Sequence, residues 1–167
     1  MPVPPERPRR GRPKDPEKRE AVLDAATRLF LERGYAGTSM DAIAAAAGVA
    51  KLTVYGHFGG KARLFQAMVR RRCDAYNRPH RFDAYAALPP EKALLEIGTN
   101  FLGLLLSADS LGLYRVMVGE ARRQPKMARL FFEAGPERLS TLLAGYLRGA
   151  AARGELSGRE RSTSRRP

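Results

Sequence analysis

Ala44, Gly48 and Val54 stand at i, i+4 and i+10, and this spacing constrains the fold more than any other feature of the chain. Two short helices cross closely only where a small side chain lets their backbones approach. A glycine then makes the turn, and a branched apolar residue fills the space between them. Those are the needs of a helix-turn-helix. The flanking residues agree. Thr38-Ser39-Met40-Asp41 has the S/T-x-x-D/E form of a capping box and opens an Ala-rich helix from Met40 to Ala47. Gly48 breaks it, and Val49-Ala50 leads into a second short helix from about Lys51 to Phe58. Upstream, Val22, Leu23, Ala26, Leu29 and Phe30 form a helical stripe between Pro16 and Gly34. Asp15-Pro16-Glu17 suits its start, and Gly34 suits a left-handed stop.

The remaining chain is also predicted helical. A fourth helix from Lys61 to about Asn77 buries Leu64, Phe65, Met68 and Val69, with Cys73 as a small filler, and Arg78-Pro79-His80 ends it. Further helices are predicted from Pro89-Pro90-Glu91 to Leu106, from Ser110 to Arg123, from Pro125 to Glu133 and from Pro136 to Arg153. No stretch alternates with period two, so the fold class is all-α: an N-terminal three-helix helix-turn-helix domain and a C-terminal helical bundle. The expected units are a disordered basic arm at 1–15, the helix-turn-helix domain at 16–60, the helical domain at 61–156 and a disordered tail at 157–167.

Composition narrows the function. The 167 residues carry a net charge of +13. Residues 1–72 hold +8 of it, residues 73–158 only +2, and residues 159–167 the last +3. A basic N-terminal third on a balanced body points to nucleic acid as partner. The single cysteine, Cys73, forms no internal disulfide and argues for a reducing, cytoplasmic compartment. One cysteine and two histidines build no closed zinc site, and no metal or cofactor is expected. No apolar run reaches the ~18–20 residues of a membrane span, and the proline-rich N-terminus does not resemble a signal peptide. Neither paired carboxylates around a histidine, nor a nucleophile motif, nor a phosphate loop suggests an enzyme. Within the arm, Arg10-Gly11-Arg12-Pro13 resembles the core of an AT-hook: glycine admits the backbone deep into a minor groove, and the arginines lie along its floor. A solubilising tail is the competing reading.

The stretch Gly48-Val49-Ala50-Lys51-Leu52-Thr53-Val54-Tyr55-Gly56-His57-Phe58, followed by Gly59-Gly60-Lys61-Ala62-Arg63-Leu64-Phe65, resembles the DNA-binding signature of TetR-type transcriptional regulators. Ala25-Ala26, Leu29-Phe30, Gly34-Tyr35 and Thr38-Ser39-Met40 belong to the same pattern, so the resemblance covers about residues 17–72. It implies that Thr38 uses its hydroxyl and helix N-terminus on a DNA phosphate. Lys51, Leu52 and Thr53 would face the major groove, Tyr55 and His57 phosphates or sugars, and Lys61 a phosphate. Two residues depart from the pattern: Gly56, where a larger polar side chain is common, and Ala50, where a hydroxyl cap is common. Tyr55 also reads as a packed aromatic with a wet hydroxyl, and Arg70-Arg71-Arg72 as a solvated helix face.

The C-terminal helices resemble the same family more loosely. The resemblance implies a homodimer paired through the last two long helices, on a pseudo-palindromic double-stranded DNA operator. It also implies a small, apolar or amphipathic inducer between the helices. Phe101, Leu105, Tyr114, Met117, Phe131, Phe132 and Tyr146 are candidates for lining that pocket, or ordinary core. Only one long apolar candidate, 136–153, stands where two are expected, so the chain reads as shortened at its C-terminal end, with dimerisation weakened or moved. The leading expectation is a ligand-responsive transcriptional repressor. Its rivals are a non-specific nucleic-acid-binding protein, a truncated regulator with impaired dimerisation, a small enzyme and a membrane-surface binder.

Overall fold

A computed structural model describes residues 15–76 and 79–156 of the chain. The described residues form nine helices and no strand: α1 Pro16–Gly37, α2 Met40–Ala46, α3 Lys51–Phe58, α4 Lys61–Tyr76, α5 Pro79–Tyr85, α6 Pro90–Leu106, α7 Ala108–Glu120, α8 Pro125–Ala134 and α9 Pro136–Ala152. The protein is all-α.

Local chemistry sets most of the boundaries. The Asp15 carboxylate accepts the Glu17 N–H at 3.0 Å, and Pro16 opens α1. Gly34 interrupts α1 with φ 69° and ψ 174°, a region that side chains other than glycine rarely enter. The helical trace therefore breaks at the glycine expected to stop it, and one further turn carries it to Gly37. Gly48 (φ 65°) makes the turn before α3, and Gly59 (φ 73°) ends α3 in the left-handed conformation.

One boundary differs from the expected capping box. Ser39, not Thr38, caps α2: its hydroxyl accepts the Ala42 N–H at 3.1 Å. Position 42 is alanine and returns no carboxylate, so the reciprocal half of the box is missing. The start of α7 also differs. It begins at Ala108, because Ser107 caps it by accepting the Ser110 N–H, and it ends at Glu120, three residues before the expected Arg123.

The expected break after α4 holds a helix of its own, α5, which the apolar periodicity did not reveal. Its proline acts as a starter, since its missing N–H falls where no intrahelical partner exists.

Two cores hold the helices. The larger one joins Val22, Leu23, Ala26, Leu29 and Phe30 of α1 to Ile43 and Ala44 of α2, Val54 and Phe58 of α3, and Leu64, Phe65, Met68 and Val69 of α4. Val54 has no exposed surface and Ala44 almost none, as the i, i+4, i+10 spacing requires. This core continues without a gap into Leu113 and Met117 of α7 and Met127 and Ala134 of α8. The expected division at residues 60 and 61 is therefore one of sequence and not of packing. Phe30, Tyr35 and Phe65 lock α1 to α4 with ring centroids 5.3–5.7 Å apart. The smaller core joins Phe82 and Tyr85 of α5 to Ala93 and Ile97 of α6 and Tyr146 and Ala150 of α9.

Ion pairs cross between elements at α4. Arg71 meets Glu20 at 3.0 Å and Asp24 at 2.7 Å, both on α1. Arg72 meets Asp109 of α7 at 2.9 Å, and Asp74 meets Arg138 of α9. Two of the three adjacent arginines are thus half-buried tethers and not a solvated face; Arg70 alone is exposed. The expected arm at 1–15 and tail at 157–167 lie outside the described residues, except for Asp15, which caps α1.

Candidate nucleic-acid interface

α3 is two turns long and sorts its residues by face. Val54 and Phe58 point into the core. Lys51, Leu52, Tyr55 and Gly56 are exposed, and Thr53 and His57 are half-buried. Leu52 is 83% exposed, so it contributes almost nothing to the core. On a groove-facing helix such a side chain is suited to apolar contact with a thymine methyl. Gly56 meets no steric limit, since a Cβ there would have open space around it. Ala50 makes no side-chain cap, so α3 is held at its start by other contacts.

One of those contacts is Lys51. Its Nζ lies 2.8 Å from Asp41 Oδ1, which ties the first turn of α3 to the first turn of α2. The hydrogen bond to Asp41 raises the lysine pKa, so the ammonium stays charged. Both groups are more than half exposed, and the pair contributes little to stability. Its consequence is positional: the cation expected at base edges is pre-aimed by a carboxylate that a DNA phosphate or base would have to replace.

Two expected phosphate contacts are placed otherwise. The Thr38 side chain is 1% exposed. Its hydroxyl donates back into the end of α1, 2.8 Å from Gly34 O and 3.0 Å from Leu29 O. The break at Gly34 lies one turn before Thr38, and the hydroxyl bonds α1 carbonyls on either side of it. Lys61 is partly withdrawn. Its Nζ donates to Ala36 O at 3.4 Å and sits 4.4 Å above the Tyr35 ring. Burial lowers its pKa, while the charge of Glu120 acts in the opposite direction. One Glu120 carboxylate oxygen is itself buried without a hydrogen-bond partner. Arg10 and Arg12 lie outside the described residues.

The fold also adds residues that the spacing did not reveal. A cleft of about 760 Å³ runs between the end of α3 and α4, and Arg19, Arg63 and Arg70 line it with Tyr55 and His57. The Arg19 guanidinium lies 5.5 Å over the Phe58 ring. Arg63 was legible as a basic residue two positions beyond Lys61. Nothing in the sequence signals Arg19, because only the crossing of α1 over α3 brings it to the cleft.

A second cavity of about 600 Å³ lies among α4, α6, α7, α8 and α9. Of the residues left open between pocket and core, Phe101, Leu105, Tyr114 and Phe131 line it. Met117 and Tyr146 do not: Met117 packs in the larger core and Tyr146 in the smaller one. Met117 stands one turn beyond Leu113 on the α1-facing side of α7, and α5 covers Tyr146. Phe132 is 55% exposed and also lies off the cavity. Exposed apolar side chains collect on α6 and α7, with Leu95, Leu102, Leu106, Tyr114 and Val118 all more than half exposed. No single described helix is long and apolar enough to cross a membrane.

Two short helices crossing at a glycine turn, with hydroxyl, ammonium and apolar groups displayed over a closed core, define the helix-turn-helix class. Two family models match separate stretches of the chain. Residues 22–68 match the family described as bacterial regulatory proteins, tetR family, and residues 92–161 match the AefR-like transcriptional repressor C-terminal domain. Among solved structures, the flavonoid-responsive regulator FrrA is 35% identical, with a TM-score of 0.62 over 83% of this chain and 70% of that one. A TetR family regulator from Pseudomonas syringae pv. tomato is 33% identical, with a TM-score of 0.53 over 83% of this chain and 68% of that one. The transcriptional activator FasR of Mycolicibacterium smegmatis is 44% identical over 68 residues, which are 40% of this chain and 31% of that protein. The chain belongs to the TetR family of bacterial transcriptional regulators. It spans between 31% and 65% of the length of the first curated relatives it matches.

Proposed function

We propose that this protein is a sequence-specific DNA-binding transcriptional repressor, released from its operator by a small molecule. One observation carries the reading: α3 turns Lys51, Leu52 and Tyr55 outward while Val54 and Phe58 anchor it, and the helix α4 that follows forms a wall of the apolar cavity. The helix that packs against the reading head thus also walls the candidate effector site. The AefR-like repressor description of residues 92–161 supports repression, and the name of FrrA supports a small-molecule response.

The mechanism follows from linkage. Two copies would set two recognition helices in successive major grooves of a pseudo-palindromic site. A molecule that binds the cavity better when α4 has moved would shift the population away from the DNA-competent state; equal affinity for both states would release nothing. Residues 16–60 would read DNA, and residues 61–156 would bind the effector and pair the subunits, in the cytoplasm where the operator lies. The exposed apolar residues of α6 and α7 offer surface for pairing beyond the last two helices.

Selection of bound fragments from random duplex DNA tests the proposal. A repressor enriches a site with two half-sites about one helical turn apart and prefers it by roughly 10³-fold or more over random duplex. Enrichment without a common site would instead mark a non-specific binder. Lys51→Ala and Tyr55→Ala weaken binding, and Lys51→Ala lowers the salt slope by about 0.9 if the ammonium neutralises a phosphate. Thr53→Ala changes the preferred sequence. Lys61→Ala tests whether that ammonium leaves the Tyr35 ring for DNA: an unchanged salt slope removes Lys61 from the interface. Sedimentation with and without the selected site measures the pairing.

A further inference from the structure

Two adjacent arginines on α4 grip different neighbours. Arg71 holds α1 through Glu20 and Asp24. Arg72 holds the beginning of α7: its Nη2 lies 2.9 Å from Asp109 Oδ2 and 3.2 Å from Ser107 Oγ. Arg72 also borders the 600 Å³ cavity, where it is the one charged residue of the lining among the described residues. The other lining residues are apolar except for small polar groups such as Cys73, Ser110 and Ser140.

The Arg72 guanidinium is incompletely used. Its Nε is buried and has no hydrogen-bond partner. A guanidinium binds a carboxylate best through two parallel N–H bonds. Asp109 engages Nη2, and no protein group accepts from the neighbouring buried Nε–H. Asp109 itself is 48% exposed, so water can take its carboxylate if another anion replaces it. The arginine has no such alternative for its buried Nε.

We propose that the cavity binds an amphipathic carboxylate, with its head on Arg72 Nε and Nη2 and its apolar body among Phe101, Leu105, Phe131 and Leu139. The proposal rests on the reading of this cavity as the effector site and names the chemistry it selects. A cationic head would face Arg72 directly, and a neutral body without a head would leave Nε unpaired. Exchange of Asp109 for the ligand unties α4 from α7. Arg71 keeps its hold on α1, so a displacement of α4 is carried to the helix that supports the reading head. No covalent step is involved.

Calorimetric titration of the full chain with decanoate, decanol and decyltrimethylammonium, all below their micellar concentrations at pH 7, tests the assignment. The expected order is decanoate first, roughly tenfold or more tighter than decanol for a charge-assisted pair, with the cation last. Arg72→Gln brings decanoate down to the affinity of decanol. Asp109→Asn removes the competing carboxylate, keeps Arg72, and tightens decanoate; it also decides the matter if Arg72→Gln does not fold. Decanoate and decanol binding the wild type within twofold, a preference for the cation, or weaker decanoate binding by Asp109→Asn each overturns the proposal. DNA release is read separately on the selected site. Head-group preference without release upholds the carboxylate assignment and overturns the effector reading. Release by decanol with no decanoate preference upholds the effector reading and overturns the carboxylate assignment.

Discussion

Thr38→Val sets two physical readings of one side chain against each other. Valine keeps the branched shape and removes the hydroxyl. In the structure that hydroxyl is buried, with one hydrogen to share between Gly34 O at 2.8 Å and Leu29 O at 3.0 Å. Removing a buried donor leaves an acceptor unsatisfied, which costs about 1–3 kcal/mol. The added methyl returns up to ~0.8 kcal/mol of apolar burial. The net loss is then about 0.2–2 kcal/mol, centred near 1 kcal/mol, which is roughly 2–4 °C in Tm for a chain of this size. Urea unfolding followed by circular dichroism measures it. At a temperature where both proteins are folded, DNA affinity should stay within threefold, since a side chain that is 1% exposed does not meet a phosphate. The opposite pattern would refute this reasoning: stability unchanged within about 0.5 kcal/mol, with DNA binding weakened tenfold or more by loss of a charge-assisted bond.

Gly34→Ala should cost about 1–3 kcal/mol, because φ 69° and ψ 174° are nearly closed to alanine. The new Cβ would also overlap the Glu120 carboxylate tip, but that end of the side chain can swing away. Most of the loss therefore persists in Gly34→Ala/Glu120→Ala, and recovery of more than half in the double variant would assign the cost to the overlap instead. Leu52→Ala should change stability by less than about 0.5 kcal/mol, as an exposed residue does, while shifting the sequence that random-DNA selection enriches; an unchanged site would remove Leu52 from readout. Burial, with Asp74 adding to it, raises the Cys73 thiol above its ordinary value of 9.0. Only the unfolded chain then ionises this thiol just above pH 9.0, so its contribution to stability falls as pH rises through that window. Urea titrations at pH 8 and pH 10 should show a smaller loss in Cys73→Ala than in the wild type, and an equal loss would show that the thiol titrates normally.

Turn chemistry and small-residue spacing are local, and they were legible. Gly34 and Gly48 each adopt the positive φ expected of them at helix ends, and Ala44 and Val54 are buried where the i, i+4, i+10 spacing puts them. Phe101, Leu105, Tyr114 and Phe131 were also found together, because a broad apolar face must meet a cavity or a neighbour somewhere. What was not legible shares a cause. Periodicity tells which side of a helix is apolar but not which helix covers it, so it left Met117 and Tyr146 open between cavity and core, and they fill two different cores. A proline was read as an end when it also starts α5.

Residue order is enough to show that the chain is helical, that it carries a helix-turn-helix, and which short helix displays Lys51, Leu52 and Tyr55. These follow from torsions and from neighbours within about ten residues. The destinations of the long polar side chains depend instead on how the helices pack. Lys61 folds onto Tyr35 because α4 begins beside the last turn of α1. Arg71 and Arg72 look alike in sequence, yet one tethers α1 and the other α7. A flexible side chain several ångströms long samples a wide volume, and its partner within that volume is fixed by helix packing across tens of residues.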